Sequence, residues 1–121
     1  MKEKELLKFL LPEGILDFFE VRDIVSSNNQ YHIHLEEKNI HPSQFKEIKL
    51  TSKGFYDEIT IQDFPLRGKP CYLKVKRRKW LNESTGLNVS RDWNLVAEGT
   101  RMTEEFASFL KGIIRQSSGQ L

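Results

Sequence analysis

The feature that most constrains the fold is a two-residue alternation that begins at Cys71 and runs to about Leu81. Cys71, Leu73 and Val75 fall on one side of this pattern. The other side carries two aromatic residues and three cations: Tyr72, Lys74, Lys76, Arg78 and Trp80. Because successive side chains of a β-strand point to opposite faces, the pattern predicts a strand with one apolar face and one basic face.

Alternation and turn residues predict further strands on both sides of this one. Residues 18–35 read as a β-hairpin with Ser and Asn turn chemistry at 26–29. Residues 55–65 read as a strand that leads into the basic strand. After it, the polar segment 82–86 predicts a turn, and residues 87–96 are expected to return as the antiparallel partner.

Helical periodicity is concentrated near the two ends of the chain. Lys2–Leu11 and a short segment after Pro12 predict two short helices. Residues 38–54 are polar and predict only a short helix or an extended turn. Near the C-terminus, Thr103 is a good N-cap. The apolar stripe of the helix that follows comprises Met102, Phe106, Phe109, Leu110, Ile113 and Ile114.

These elements predict an α+β fold: a small antiparallel β-sheet built of hairpins, with short N-terminal helices and a C-terminal amphipathic helix. A chain of 121 residues fits one domain that buries roughly two-thirds of its unfolded surface. We expect a single domain over 1–115, made of N-terminal helices and hairpin (1–54), a basic hairpin (55–99) and the C-terminal helix (100–115). Residues 116–121 are expected to be a disordered tail.

Cys71 is the only cysteine, which excludes an intramolecular disulfide and a multi-cysteine zinc site within the chain. A single thiol fits a reducing cytoplasm, and cytoplasmic localisation is the expectation. The apolar run Leu6–Leu11 is interrupted by Lys8, so we expect neither a signal peptide nor a membrane span. The alternation points Cys71 into the core and favours a structural thiol over a nucleophile.

The formal net charge of +2 conceals a division between the two halves of the chain. Residues 1–63 contain eight basic and twelve acidic residues, a net of -4, while residues 64–121 contain eleven basic and five acidic residues, a net of +6. The stretch from Arg67 to Trp80 has seven cations and no acid. An anionic partner is expected to contact the chain there.

The remaining chemically capable residues do not form a recognisable catalytic motif. His32 and His34 could chelate a metal with further ligands, but two solvent-facing histidines on a strand are the favoured interpretation. Asp57 and Glu58 are adjacent and therefore point to opposite faces of a strand. Asp63 and Asp92 fit turn acceptors or partners of neighbouring cations better than an acid–base pair. The sequence also lacks glycine-rich phosphate loops, Gly-x-Ser-x-Gly nucleophile elbows and His-Glu-x-x-His zinc helices. We expect no enzymatic activity and no cofactor.

The basic run itself has two readings. Its cations could contact phosphates, with Trp80 and Trp93 offering aromatic faces to sugars or bases. The alternative is a solvated face of a β-ribbon, with both tryptophans packed on the C-terminal helix. Composition alone leaves both open.

Two segments resemble a known family. Residues 59–69 (ITIQDFPLRGK) and 73–80 (LKVKRRKW) resemble the N-terminal region of insertion-sequence transposases of the ISL group, and more closely the free-standing N-terminal region of ISAon-type transposases. The matching positions are Asp63, Pro65, Gly68, Arg77 and Arg78. In the broader group the basic strand enters a Cys-x-x-Cys-Gly zinc knuckle. Here Gly86 is kept and neither cysteine is present, which implies a zinc-ribbon-like hairpin without metal whose turn is held by Asn and Gly backbone chemistry.

The resemblance continues over residues 91–106, at the point where the larger transposases begin a helix-turn-helix. Because this sequence ends soon after that first helix, we expect no recognition helix. The resemblance implies a non-catalytic N-terminal or accessory DNA-binding domain of a bacterial mobile element, acting in DNA recombination on the element's terminal repeats. The expected DNA-binding residues are Arg67, Lys69, Lys74, Lys76, Arg77, Arg78, Lys79, Arg91 and Arg101. The alternative is a protein-interaction module that docks the separately encoded catalytic transposase polypeptide through the C-terminal apolar stripe, Trp80 and Trp93.

Overall fold

The protein is described by a computed structural model that covers residues 9–99 and 103–117. Its helices are α1 (Ile15–Phe18), α2 (Trp93–Glu98) and α3 (Glu104–Ser117), with a 3-10 turn at Ser43–Phe45. Its strands are β1 (Phe19–Ser27), β2 (Gln30–Glu37), β3 (Leu50–Phe55), β4 (Ile59–Leu66), β5 (Lys69–Lys76), β6 (Arg78–Asn82) and β7 (Leu87–Val89). Most of the helix predicted at Lys2–Leu11 lies outside the described residues.

The strands form two sheets. The larger sheet has the order β1-β2-β5-β4, and the smaller sheet has the order β3-β6-β7. All pairings are antiparallel except that of β2 with β5, where Ile33 lies beside Leu73 in a parallel register. The predicted α+β class with hairpin-built, mostly antiparallel sheets is confirmed.

Two tight turns set the registers of the larger sheet. Asn28 and Asn29 connect β1 to β2 with φ angles of 50° and 59°. Arg67 and Gly68 connect β4 to β5 with φ angles of 52° and 73°. Positive φ at both central residues matches the twist of two-residue hairpins, and Asn and Gly adopt it most readily. The hairpin predicted over 18–35 is confirmed.

The core lies between one face of the larger sheet and the helices. Phe19 stacks on Trp93 with ring centroids 5.3 Å apart and meets Phe109 edge-on at 5.5 Å. The C-terminal helix α3 begins as predicted, since Thr103 Oγ1 accepts a hydrogen bond from the Phe106 N–H at 3.2 Å. Its apolar stripe is buried in the core at Phe106, Phe109, Leu110 and Ile113.

Helix α3 packs closely on β4. A Cβ built on Gly112 would lie 3.0 Å from Ile61 Cγ2, so the absent side chain lets the helix approach the strand. The helix also extends beyond the predicted boundary at residue 115. Gln116 is helical, and its side-chain amide donates to the Thr60 carbonyl at 2.7 Å. The prediction of disorder is therefore wrong for Gln116, because this hydrogen bond fixes it against β4.

The predicted strand from Cys71 to Leu81 is two strands in two different sheets. Its first part is confirmed, since Cys71, Leu73 and Val75 are fully buried in the larger sheet. The chain leaves that sheet at Arg77 and enters the smaller one as β6. The alternation changes phase at this break, so Trp80 is buried rather than on the basic face.

Two other elements differ from prediction. The return strand ends at Val89, and Trp93–Glu98 is a helix instead of a strand continuation. Asp92 starts this helix, because its carboxylate accepts the N–H groups of Asn94 and Leu95. Strand β3 (Leu50–Phe55) pairs with β6; it includes residues 50–54, predicted as part of a short helix or extended turn, and Phe55, predicted to begin the strand that is β4. The predicted boundary between residues 54 and 55 therefore does not separate two structural parts.

Candidate nucleic-acid interface

The outward face of the larger sheet carries the central part of the basic run. Lys74 and Lys76 lie on β5, an interior strand, on the face opposite the core and about 7 Å apart along the chain. Tyr72 occupies the next outward position on the same strand. The parallel pairing places His32 beside Tyr72 and His34 beside Lys74. This face, defined by His32, His34, Tyr72, Lys74 and Lys76, is called the outward face below.

Two acidic side chains lie on or beside the outward face: Glu36 of β2 pairs in register with Lys76, and Glu58 lies just before β4. Glu36 accepts a hydrogen bond from Arg22 Nε at 2.9 Å, and Glu58 lies 3.4 Å from His34 Nδ1. Lys74 Nζ donates to the Thr60 hydroxyl at 3.0 Å. A shallow cleft of about 230 Å³ is lined by charged and polar groups of both signs: Arg22, Asp23, His34, Glu36, Glu58, Lys74 and Lys76. Glu36 therefore has Arg22 and Lys76 as basic neighbours, and Glu58 has His34.

Three further cations of the predicted set lie at the two ends of β5. Arg67 is exposed in the β4–β5 turn. Lys69 starts β5 with its ammonium 5.7 Å from the ring centroid of Tyr31. Beyond the opposite end, Lys79 lies on β6 of the smaller sheet, and its Nζ is 5.2 Å from the ring centroid of Tyr56. These side chains remain at least partly accessible to an anionic partner.

Three arginines of the predicted set, Arg77, Arg78 and Arg91, have mainly internal contacts. Arg77 is 3% exposed, with its guanidinium carbon 5.2 Å from the ring centroid of Tyr56, and burial lowers its pKa. Arg78 is half-buried and donates to the Ser52 hydroxyl at 2.6 Å. Arg91 is 6% exposed. Burial leaves Arg77 and Arg91 little surface with which to contact DNA. Arg101 lies outside the described residues.

Glu37 of β2 accepts hydrogen bonds from Arg78 and Arg91 and so links the larger sheet to β6 of the smaller one. Its side chain is 1% exposed. One carboxylate oxygen accepts the Arg78 backbone N–H at 3.0 Å, and the other accepts Arg91 Nε–H at 3.2 Å. Its backbone carbonyl accepts Arg78 Nε–H at 3.2 Å, and Arg91 also donates to the Ile40 carbonyl. Burial raises the pKa of the Glu37 carboxyl, while the bond from Arg78 and the charge of Arg91 oppose that rise.

The other candidate reactive groups are spread over the fold. Asp63 lies in β4 beside Cys71 in register rather than in a turn, and its carboxyl accepts a backbone hydrogen bond from Phe64. Burial, together with the charge of Glu105, raises the pKa of Asp63. Asp92 is the helix cap described above. Within residues 9–99 and 103–117, no three His, Cys, Asp or Glu side chains are grouped closely enough to hold a metal ion.

Cys71 should be chemically inert in the folded protein. It is fully buried, and burial together with the charge of Asp63 raises the pKa of its thiol to about 11. A rise of two units from 9.0 reduces the thiolate fraction about 100-fold at neutral pH. We expect alkylation by iodoacetamide, followed by mass spectrometry, to be at least about 100-fold slower in native protein than in guanidinium. Equal rates would contradict the buried position.

The apolar surface required by the docking alternative is largely internal. Trp80 and Trp93 are 3% and 4% exposed, and the stripe of α3 is buried against β4 and the aromatic core. The indole N–H groups of both tryptophans lack a hydrogen-bond acceptor among the described residues. Of the two tryptophans that the solvated-ribbon alternative packs on the C-terminal helix, Trp93 is in the core cluster with α3, whereas Trp80 is buried on β6 and is not part of that cluster.

Two parts of the site were missed in the sequence. Glu37 occupies the same strand phase as Ile33 and Leu35, and a carboxylate on an apolar phase indicates a buried, partnered charge. The contact of His32 with Tyr72 has no local signal, because it depends on a parallel pairing between residues forty positions apart.

No helix in the described part of the chain has the length and apolar character needed to cross a membrane. Comparisons with protein-family models, curated proteins and solved structures found no match to this chain.

Proposed function

We propose that this chain is a DNA-binding domain, the N-terminal or accessory part of an insertion-sequence transposase. In this proposal it contacts the terminal repeats of the element without catalytic residues of its own. The catalytic transposase polypeptide, separately encoded, is its partner. The observation that carries the proposal is the pair of lysines on the outward face of β5, Lys74 and Lys76, within a concentration of cations that runs from the β4–β5 turn to β6.

Five members of the predicted set support contacts to phosphate through their positions: Arg67, Lys69, Lys74, Lys76 and Lys79. Outward lysines two positions apart on an extended strand present charges in a row, as an extended phosphate backbone requires. Buried Arg77 and Arg91 act instead as parts of the scaffold. The proposal therefore assigns DNA contacts to fewer side chains than the sequence did.

Salt dependence tests the proposal. Five phosphate contacts give a slope of about -4.5 for log affinity against log salt on duplex DNA. We expect the double variant Lys74→Ala/Lys76→Ala to reduce the magnitude of that slope by about 2, because each lysine releases about one counterion. The measurement is fluorescence anisotropy with a duplex of the element's terminal repeat, between about 50 and 200 mM salt.

A matched control is Lys46→Ala/Lys111→Ala, which removes the same charge from exposed positions outside the basic run. The slope of this control should stay close to that of the wild type. Salt-insensitive binding, or equal losses in the two double variants, would show that the β5 cations are not the contact surface.

A further inference from the structure

The outward face contains an aromatic contact that phosphate binding does not require. The rings of His32 and Tyr72 are nearly parallel, with an interplanar angle of 21° and centroids 5.6 Å apart. Both side chains are half-buried, and they lie on the two interior strands of the larger sheet. An aromatic surface in the middle of an open sheet face, next to two lysines, combines a stacking surface with cations.

We propose that the outward face binds single-stranded DNA, with an unpaired base stacked on the Tyr72 and His32 rings and the backbone following Lys74 and Lys76. This inference rests on the proposed function and specifies the form of DNA that it takes. Single strands are bound by aromatic side chains on which bases stack together with a positively charged track. Here the stacking rings and the cations lie on the same strand face.

The shape of the site favours unpaired bases over duplex. Bases of a duplex are stacked inside the helix, and their edges are read by elements that enter a groove, such as a helix or a β-ribbon. The outward face belongs to a four-stranded sheet, and its aromatic rings lie on interior strands rather than on a projecting loop. Its rings can therefore reach a base face only where the base is already unstacked.

Neighbouring side chains extend the aromatic surface across the sheet. Gln62 of β4 is exposed and pairs in register with Tyr72, so an amide lies beside the ring where it can hydrogen-bond a base edge. Val25 of β1 pairs with His32 on the other side and is 39% exposed. Val25, His32, Tyr72 and Gln62 thus lie side by side across the four strands, and they are apolar, aromatic and amide in character. Lys74 is the next outward residue along β5.

The test compares a labelled oligothymidylate of about 12 nucleotides with the terminal-repeat duplex, by anisotropy at fixed salt. We expect Tyr72→Ala to weaken binding of the single strand about 10-fold, and binding of the duplex by less than about 2-fold. Tyr72→Phe keeps the ring and should bind as the wild type does. Gln62→Leu keeps the stacking surface and should lose less affinity than Tyr72→Ala.

Photocrosslinking gives a second readout that does not depend on a stable alanine variant. A single strand containing 5-bromouracil should crosslink to wild-type protein at Tyr72 or His32, as mapped by mass spectrometry. Crosslinks confined to other segments, or unchanged single-strand affinity in a folded Tyr72→Ala protein, would overturn the inference. If the duplex still binds with its lysine-dependent salt slope, the proposed function stands without the inference; if neither form of DNA binds, both fail.

Discussion

Replacement of Glu37 by alanine is expected to lower the free energy of unfolding by about 3–5 kcal/mol, because it leaves buried donors of Arg78 and Arg91 without their acceptor. The lost side chain also leaves a cavity at the junction of the two sheets. Urea unfolding followed by circular dichroism measures the change. A loss below about 1 kcal/mol would show that the junction does not depend on this carboxylate.

Glu37→Gln is the informative comparison. The amide retains an oxygen that can accept the Arg78 N–H, so we expect a much smaller loss than for alanine. Burial raises the pKa of Glu37, so the folded state binds its proton more readily than the unfolded state does. The stability contributed by this carboxyl is therefore fully present below its unfolded pKa and is lost as pH rises through the folded pKa. Stability relative to Glu37→Gln should fall across that window, and a rise would contradict the direction.

The coupling between Glu37 and Arg91 can be isolated by a double-mutant cycle. Glu37→Leu with Arg91→Leu removes both buried charges, which apolar replacements of a buried pair often tolerate well. The double variant should therefore be more stable than the sum of the single losses predicts, by more than about 1 kcal/mol. Additive losses would indicate that the two side chains act independently.

Phe109→Asp is expected to leave the protein largely unfolded. Phe109 is 2% exposed, so the substitution removes an aromatic ring, at about 3–5 kcal/mol, and also places a carboxylate in the apolar core. Small domains are stable by only about 5–15 kcal/mol in total. Far-ultraviolet circular dichroism and a thermal scan will detect the loss of structure.

Phe64→Asp provides the matched control. Phe64 is 48% exposed on β4, and the same chemical change there should shift stability by less than about 1 kcal/mol. A folded Phe109→Asp protein would contradict the buried position of α3. Lost partner binding in that variant would report unfolding, so a docking test needs substitutions on accessible surface.

The sequence predicted elements whose determinants are local. The α3 stripe, the Thr103 cap, the Asn28–Asn29 turn and the inward phase of β5 are encoded in neighbouring residues, and all are present. The turn at 82–86 is also held as expected, because the Asn82 carbonyl accepts the Gly86 N–H at 2.8 Å.

What the sequence did not predict depends on tertiary contacts. The split of the basic strand follows from Glu37, which accepts the backbone N–H of Arg78 immediately after the break. The sequence pattern does not reveal this split, because cations follow one another along the chain both before and after Arg77. The sequence therefore predicts Arg77 and Arg91 as DNA contacts, whereas both side chains are buried.

The parallel pairing of β2 with β5 also has a consequence for folding. Tyr31 is beside Cys71, forty residues later, so the centre of the larger sheet forms only when that loop closes. Closing a flexible loop of this length costs about 3 kcal/mol of chain entropy before the contacts compensate, and such long-range pairings slow folding. His32 and Tyr72 come from opposite ends of this loop. A partly folded chain therefore has the basic run of the sequence but not the aromatic surface beside it.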